Sequence, residues 1–245
     1  MKSTSRFSLL AGLSLAFAIP AHSQETAPAP PQAEKLLRIQ VEWIEMEALE
    51  MTELLRKGYP TDTALRDTLQ ELIEDNDATL VETSLVTARS GQRAKVESIH
   101  EHIYPTEFQA PQVINPEEEK GAQTVLILPH PSAFETRNLG TTLEVDPVLA
   151  ADGKTVDLNL APELVYLVGS ESWASYEGDH GTSETRTPAI FTSKATTQVA
   201  AIDGEYCLIS AQSPRNEDTG MTETGRKLML FVRVDVVTVG AVKAE

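Results

Sequence analysis

A single cysteine, Cys207, rules out an internal disulfide even in an oxidising compartment. Set within a strand pattern, that thiol reads as a small apolar residue rather than a functional one. Aromatics are scarce, at 5% of the chain, with Trp43 and Trp173 the two tryptophans. Membrane barrels carry aromatic girdles at both interfaces, which this composition does not suggest. Positive charge is also short: 20 Lys and Arg stand against 37 Asp and Glu, for a formal net charge of −17. That excess argues against nucleic acid and anionic membrane surfaces as partners, and fits a well-solvated surface. There is no Gly-x-Ser-x-Gly elbow and no His-Glu-x-x-His helix.

The remaining constellations have plain readings. Gly220 to Lys227 comes close to a phosphate-binding loop. Its lysine falls one position late, no Ser or Thr follows, and the next element reads as a strand where that motif needs a helix. His100 and His102 lie two apart on an expected strand, so both face one way with metal-ligand spacing. His130 or His180 could come near them after folding, and two partly exposed strand histidines is the simpler reading. The acidic run Glu42, Glu45, Glu47, Glu50 and Glu53 reads as a solvated face, and Glu117-Glu118-Glu119 as a solvated loop, because no cleft is in view to raise a carboxyl pKa. The sequence therefore assigns no catalytic residue, no cofactor and no metal, and points away from an enzyme.

The N-terminus has the form of an export leader. Lys2 and Arg6 precede an apolar run from Phe7 to Ile19 that is too short to span a bilayer, and Ala21-His22-Ser23 supplies small residues for cleavage after Ser23. Residues 24–34 form a Pro/Ala-rich linker, residues 35–240 one β-domain and residues 241–245 a tail. In that domain, Glu47–Lys57 reads as a short helix ended by Gly58 and Pro60. Thr63–Asp75 reads as a second helix, capped by Thr61 or Asp62, with Leu65, Leu69, Leu72 and Ile73 on one stripe. Strands are expected near Thr79–Ala88, Gln92–Tyr104, Thr124–Leu128, Thr136–Val145, Thr155–Val168, Ala189–Ile202, Glu205–Ala211 and Lys227–Val239. The Ser90-Gly91, Asp152-Gly153 and Asp203-Gly204 turns should each join an antiparallel pair, since Gly supplies the positive φ a tight hairpin needs. Gln109–Gln123, Ser170–Pro188 and Ser213–Arg226 read as long polar loops. The expected class is α+β, mainly β, with antiparallel sheets and one or two short helices packed on a sheet.

The wording of these segments goes further than their periodicity. Phe134–Gly169 closely resembles the core of the secretin family, the outer-membrane channel proteins of type II and type III secretion and of type IV pili. Leu37–Met46 (LRIQVEWIEM) resembles the strand that opens the family's conserved domain. Ala78–Phe108 resembles its next hairpin, with the Ser90-Gly91-Gln92 turn and the Tyr104-Pro105-Thr106 close. Ile190–Ile209 resembles the hairpin around Asp203-Gly204, and Lys227–Val237 the terminal strand. The resemblance marks Tyr104, Pro105, Thr106, Phe108, Gly140, Leu143, Asp152, Gly153, Pro162, Glu163, Asp203 and Gly204 as structural motif positions. It implies a homo-oligomer, secretion or pilus machinery proteins as partners, and residence in the periplasm or at the outer membrane.

Two departures from the family pattern matter. Full-length secretins carry several small periplasmic domains before this core, whereas here it follows the leader and linker almost directly. The family's apolar Val-Pro-x-Leu-Gly…Pro-x-Leu-Gly segment is replaced by the polar Ser213–Arg226. A ring-forming pore component and a soluble periplasmic module that binds a secretion or pilus partner both remain open. The leader makes a direct prediction: protein from an envelope fraction should have the intact mass of a chain beginning at Gln24, and a mass retaining Met1–Ser23 would overturn it.

Overall fold

The computed structural model describes residues 34–114, 125–178 and 181–239. The leader, most of the linker, the acidic triplet at 117–119, His180 and the tail lie outside them. The chain runs β1 (Lys35–Glu47), α1 (Ala48–Lys57), α2 (Asp62–Glu74), β2 (Ala78–Arg89), β3 (Ala94–Gln109), β4 (Gln112–Ile114), β5 (Val125–Ile127), β6 (His130–Leu149), β7 (Thr155–Gly178), β8 (Gly181–Lys194), β9 (Thr197–Ile202), β10 (Tyr206–Gln212) and β11 (Arg226–Thr238). It is α+β and mainly β, with the strands of each sheet antiparallel.

The first sheet has the order β10-β11-β1-β2, and β1 pairs along its whole length with β11, from Lys35↔Thr238 to Glu47↔Arg226. The second has the order β3-β6-β7-β8, with β9 completing the edge of β7 below β8. The period-two apolar sets fill the space between the sheets: Leu37, Ile39, Val41 and Trp43 of β1, Leu143 and Val145 of β6, Val156, Leu158 and Leu160 of β7, and Leu228, Leu230, Val232 and Val234 of β11. The other face of the first sheet carries the helices. Ile44, Met46, Met229 and Phe231 pack there against Met51, Leu54, Leu65 and Leu69.

Helix α2 follows its sequence signals. The Thr61 hydroxyl accepts from the Ala64 N–H at 3.1 Å, and Asn76 at φ 67° turns the chain away. Leu65 and Leu69 are buried, with Leu72 and Ile73 partly so.

Four expectations are corrected. The Ser90-Gly91 and Asp203-Gly204 turns are not hairpins. β2 pairs with β1 while β3 pairs with β6, and β9 pairs with β7 while β10 pairs with β11, so each of these turns carries the chain from one sheet to the other. Only Asp152-Gly153 joins an antiparallel pair, β6 and β7. Ser170–Pro188 is not a loop: β7 and β8 pair through it to Gly178↔Gly181. From Gly169 to Gly178 strand β7 is exposed on both faces, so no alternation marks it, and the hydrogen-bond ladder continues the ribbon with cross-strand side-chain bonds such as Trp173 to Thr187. The segment Ala189–Ile202 is two strands, broken at Ala195-Thr196. Finally, Glu42 is not part of a solvated face. It is buried beneath α2, 2.5 Å from Arg66 Nε, whose side chain is also buried.

These contacts set stability. Leu69→Ala should cost about 2–5 kcal/mol in chemical denaturation. Arg66→Ala should cost about 3–5 kcal/mol, because the Glu42 carboxylate would be left buried without its partner. A change within about 0.5 kcal/mol at Leu69 would place that side chain at the surface.

Candidate functional site

What this fold offers a partner is strand edges and the turns that fix them. An unpaired edge presents a row of backbone N–H and C=O groups to any strand that meets it. Among the described residues, β2 pairs only with β1, β3 only with β6, and β8 and β9 only with β7, so the far edges of these strands carry no ladder. The β10 edge is different. The Tyr206 N–H donates to Thr63 Oγ1 at 2.9 Å and the Leu208 N–H to Asp62 Oδ2 at 2.8 Å, so the start of α2 occupies two donors that a neighbouring strand would need. The Arg66 and Arg233 guanidiniums lie over the Tyr206 ring, at 5.6 and 5.5 Å from its centroid. Burial, followed by the Glu42 carboxylate, raises the Tyr206 pKa.

The three expected turns meet at one end of the sandwich. The Gly91 N–H donates to the Pro147 carbonyl at 2.7 Å, and Ser90 Oγ accepts from the Leu149 N–H, tying the first corner to β6. Asp152 closes its hairpin by accepting from the N–H groups of Lys154 and Thr155 and from the Thr155 hydroxyl. These bonds, led by the hydroxyl, lower its pKa to about 2. The ionised clamp is thus complete above the unfolded carboxyl's pKa of about 4 and is lost as pH falls through 2. The Asp203 N–H donates to the Lys154 carbonyl, its carboxylate accepts from the Val236 N–H, and the Gly204 N–H donates to Val234. Gly153 and Gly204, at φ 70° and 80°, supply the left-handed backbone these turns need.

The remaining motif positions follow β3, β6 and β7. Gly140 passes so close to β3 that a Cβ would overlap the Ser98 carbonyl oxygen, which leaves no room for any side chain. Leu143 is buried between Val96 and Pro162 on the neighbouring strands. The Pro162 carbonyl accepts from the Ala195 N–H at the junction of β8 and β9. Glu163 pairs with Arg137 at 3.0 Å and Lys194 at 3.7 Å, bridging β6, β7 and β8. Tyr104, Pro105, Thr106 and Phe108 do not end a hairpin. They flank a bulge in β3, where the register against β6 shifts between Pro105 and Glu107 and again between Glu107 and Phe108, and the strand continues to Gln109. The Tyr104 hydroxyl donates to Glu135 at 3.3 Å.

His100 and His102 stand opposite Leu139 and Arg137, and His102 stacks on Tyr104. Among the described residues, no three His, Cys, Asp or Glu side chains gather as metal ligands. Half-buried Cys207 packs beside the inter-sheet core, and burial pushes its thiol pKa up. A cavity of about 690 Å³ opens between the sheets near Glu45, Tyr166, Ser193, Arg215 and Glu223. Its arginines are engaged, Arg226 with Glu45 and Glu47 and Arg215 with the Tyr166 ring.

The residues that close the β10 edge escaped sequence reading because their partners lie far along the chain: Asp62 and Leu208 are 146 positions apart. The N-cap pattern at 61–63 pointed only to a helix start.

Residues 71–220 match the family model Secretin, described as bacterial type II and III secretion system protein. The chain belongs to the secretin family. No curated protein matches it. Among solved structures, the chain is similar to the secretin GspD in the ETEC pilotin–secretin AspS–GspD complex, at 12% identity over 85% of this chain and 50% of that one, with a TM-score of 0.43. It is similar to ExeD of Aeromonas hydrophila at 14% identity over 84% and 49%, with a TM-score of 0.38. It is also similar to the InvG secretin domain β-barrel of the Salmonella SPI-1 injectisome, at 10% identity over 86% and 65%, with a TM-score of 0.38. The chain spans about half the length of the first two.

Closing one edge and leaving the others open predicts a directional effect. Asp62→Ala combined with Thr63→Val should leave the Tyr206 and Leu208 donors unpartnered, at about 1–3 kcal/mol each, and should raise self-association in sedimentation velocity. Lower stability with unchanged association would show that the two bonds serve the fold alone.

Proposed function

We propose that this chain is a secretin-like, non-enzymatic, oligomer-forming component of a bacterial protein secretion or type IV pilus system, exported to the periplasm or outer membrane. In this reading residues 1–23 are removed, residues 24–34 are a tether, and residues 35–240 form the assembling β-domain. The observation that carries it is membership of the secretin family across 71–220. The open edges of β2, β3 and β8 support it, because neighbouring copies can complete such rows of donors and acceptors. The twelve motif positions act as supports for those edges, stitching the turns and bracing β3, β6 and β7. The solved ETEC secretin is in complex with a pilotin, and secretion-machinery proteins of that kind are the partners this reading gives the chain.

One observation favours a second reading, a soluble periplasmic module that pairs with a partner by strand addition and forms no channel. Ser213–Arg226 carries Arg215, Glu217, Asp218, Glu223 and Arg226 where the family resemblance implies apolar residues. An Arg or Lys on the lipid face near mid-bilayer costs roughly 2–4 kcal/mol, and a ring would incur that cost in every copy.

The two readings separate by experiment. Light scattering of the mature protein, in buffer and in detergent, should show self-association. Planar-bilayer recording with membrane flotation should show no stable open channel. Discrete, reproducible conductance steps with tight flotation would establish the channel, and a monomer in both media would overturn assembly altogether.

A further inference from the structure

The polar segment 213–226, which joins β10 to β11, is braced from within. Asn216 Oδ1 accepts from the N–H groups of Asp218 at 3.1 Å and Thr219 at 2.8 Å, and its amide donates to Glu223 at 2.7 Å. The Asn216 N–H donates to the Met221 carbonyl and the Glu223 N–H to the Pro214 carbonyl, while Arg215 and Thr222 form an isolated bridge. A segment tied this way is a preformed block rather than slack chain.

Two of its residues land on one short stretch of β7. The Arg215 guanidinium lies 4.5 Å from the centroid of the Tyr166 ring. Gly220, at φ 69°, presses its backbone on Val168: a Cβ there would sit 2.7 Å from the Val168 Cβ. That stretch also carries the first of two register shifts in the β7–β8 ribbon, the second lying between Ser172 and Ala174. The register shifts between Leu167 and Gly169, so Val168 has no partner in β8, and a bulge of this kind bends a strand. Gly169 follows at φ 153°. Pro188, opposite Ser170, has no N–H to add to the ladder. Beyond this level β7 is exposed on both faces to its end at Gly178, and the ribbon's other tie is on β8, where the Ser183 hydroxyl donates to the Pro129 carbonyl at 3.3 Å.

We propose that the segment 213–226 is a latch that sets the angle at which the β7–β8 ribbon leaves the sandwich. With Arg215 on Tyr166 and Gly220 on Val168, the strand is held just below its bulge and the ribbon takes one direction. With those contacts broken, it pivots at Val168-Gly169. The latch accounts for the polarity of the segment: its hydrogen-bonding groups are used largely within the block, and a flat guanidinium and a bare glycine meet β7. It goes beyond the assembly reading, since it operates in a single copy and stands or falls apart from ring formation.

The test is amide hydrogen exchange on the full chain, comparing wild type with Arg215→Ala and with Gly220→Val. Exchange across residues 170–188 should accelerate about two- to thirty-fold, the range set by losing one cation–π contact, while amides of β1 and β11 keep their rates. If Gly220→Val does not fold, Arg215→Ala decides alone. Unchanged exchange at 170–188 overturns the latch. Equal acceleration in β1 and β11 also overturns it, because the contact would then serve general stability.

Discussion

The apolar layer between the two sheets governs the path of the chain. Each sheet buries its inner face against the other, so β1 and β11 of the first sheet and β6 and β7 of the second present their leucines and valines to that layer. β2 and β3 are consecutive and joined by a short turn, yet they lie in different sheets, and so do β9 and β10. A hairpin would have left both strands in one sheet and uncovered the facing one. The turn glycines therefore do corner duty, with N–H groups that bond to strands of the other half, as Gly91 does to Pro147 and Gly204 to Val234.

The second layer, on the helix side, follows different rules. There a charge is taken inside. Arg66 reaches down from α2 to Glu42 in the middle of β1, with the Tyr206 hydroxyl 3.3 Å from the same carboxylate. Two buried charges stabilise little against an apolar pair of equal size, but they tolerate few alternative placements. The ion pair fixes the seating of α2 on the sheet, and that seating brings Asp62 and Thr63 to the edge of β10. Register in the core, helix position and closure of one edge are thus linked through Glu42, Arg66, Asp62 and Thr63.

The legible part of this structure was whatever repeats locally. The stripe of Leu65 and Leu69, the Thr61 cap, the β6–β7 hairpin and the strand LRIQVEWIEM all carry their instructions within a few residues of one another. Choice of strand partner did not, because a Ser-Gly or Asp-Gly turn has the same local chemistry whether it closes a hairpin or rounds a corner. The ribbon beyond Gly169 was invisible for a complementary reason: with neither face buried, nothing selects an apolar period. Glu42 misled because an acid among other acids reads as surface, and the one fact that overrules this, an arginine 24 positions later on an overlying helix, is tertiary. Among the motif positions, Gly140 became intelligible only when its strand was seen against the Ser98 carbonyl.

β1 and β11 are paired from end to end, and they are the first and last strands described. Almost the whole chain is therefore a loop that must be closed before the central pair of the first sheet exists. Closure of so long a loop is entropically slow, and until it happens neither apolar layer has its middle. A polypeptide built this way completes the middle of both apolar layers only when its final strand pairs. In that sense the order of the strands works as a timer as well as a scaffold.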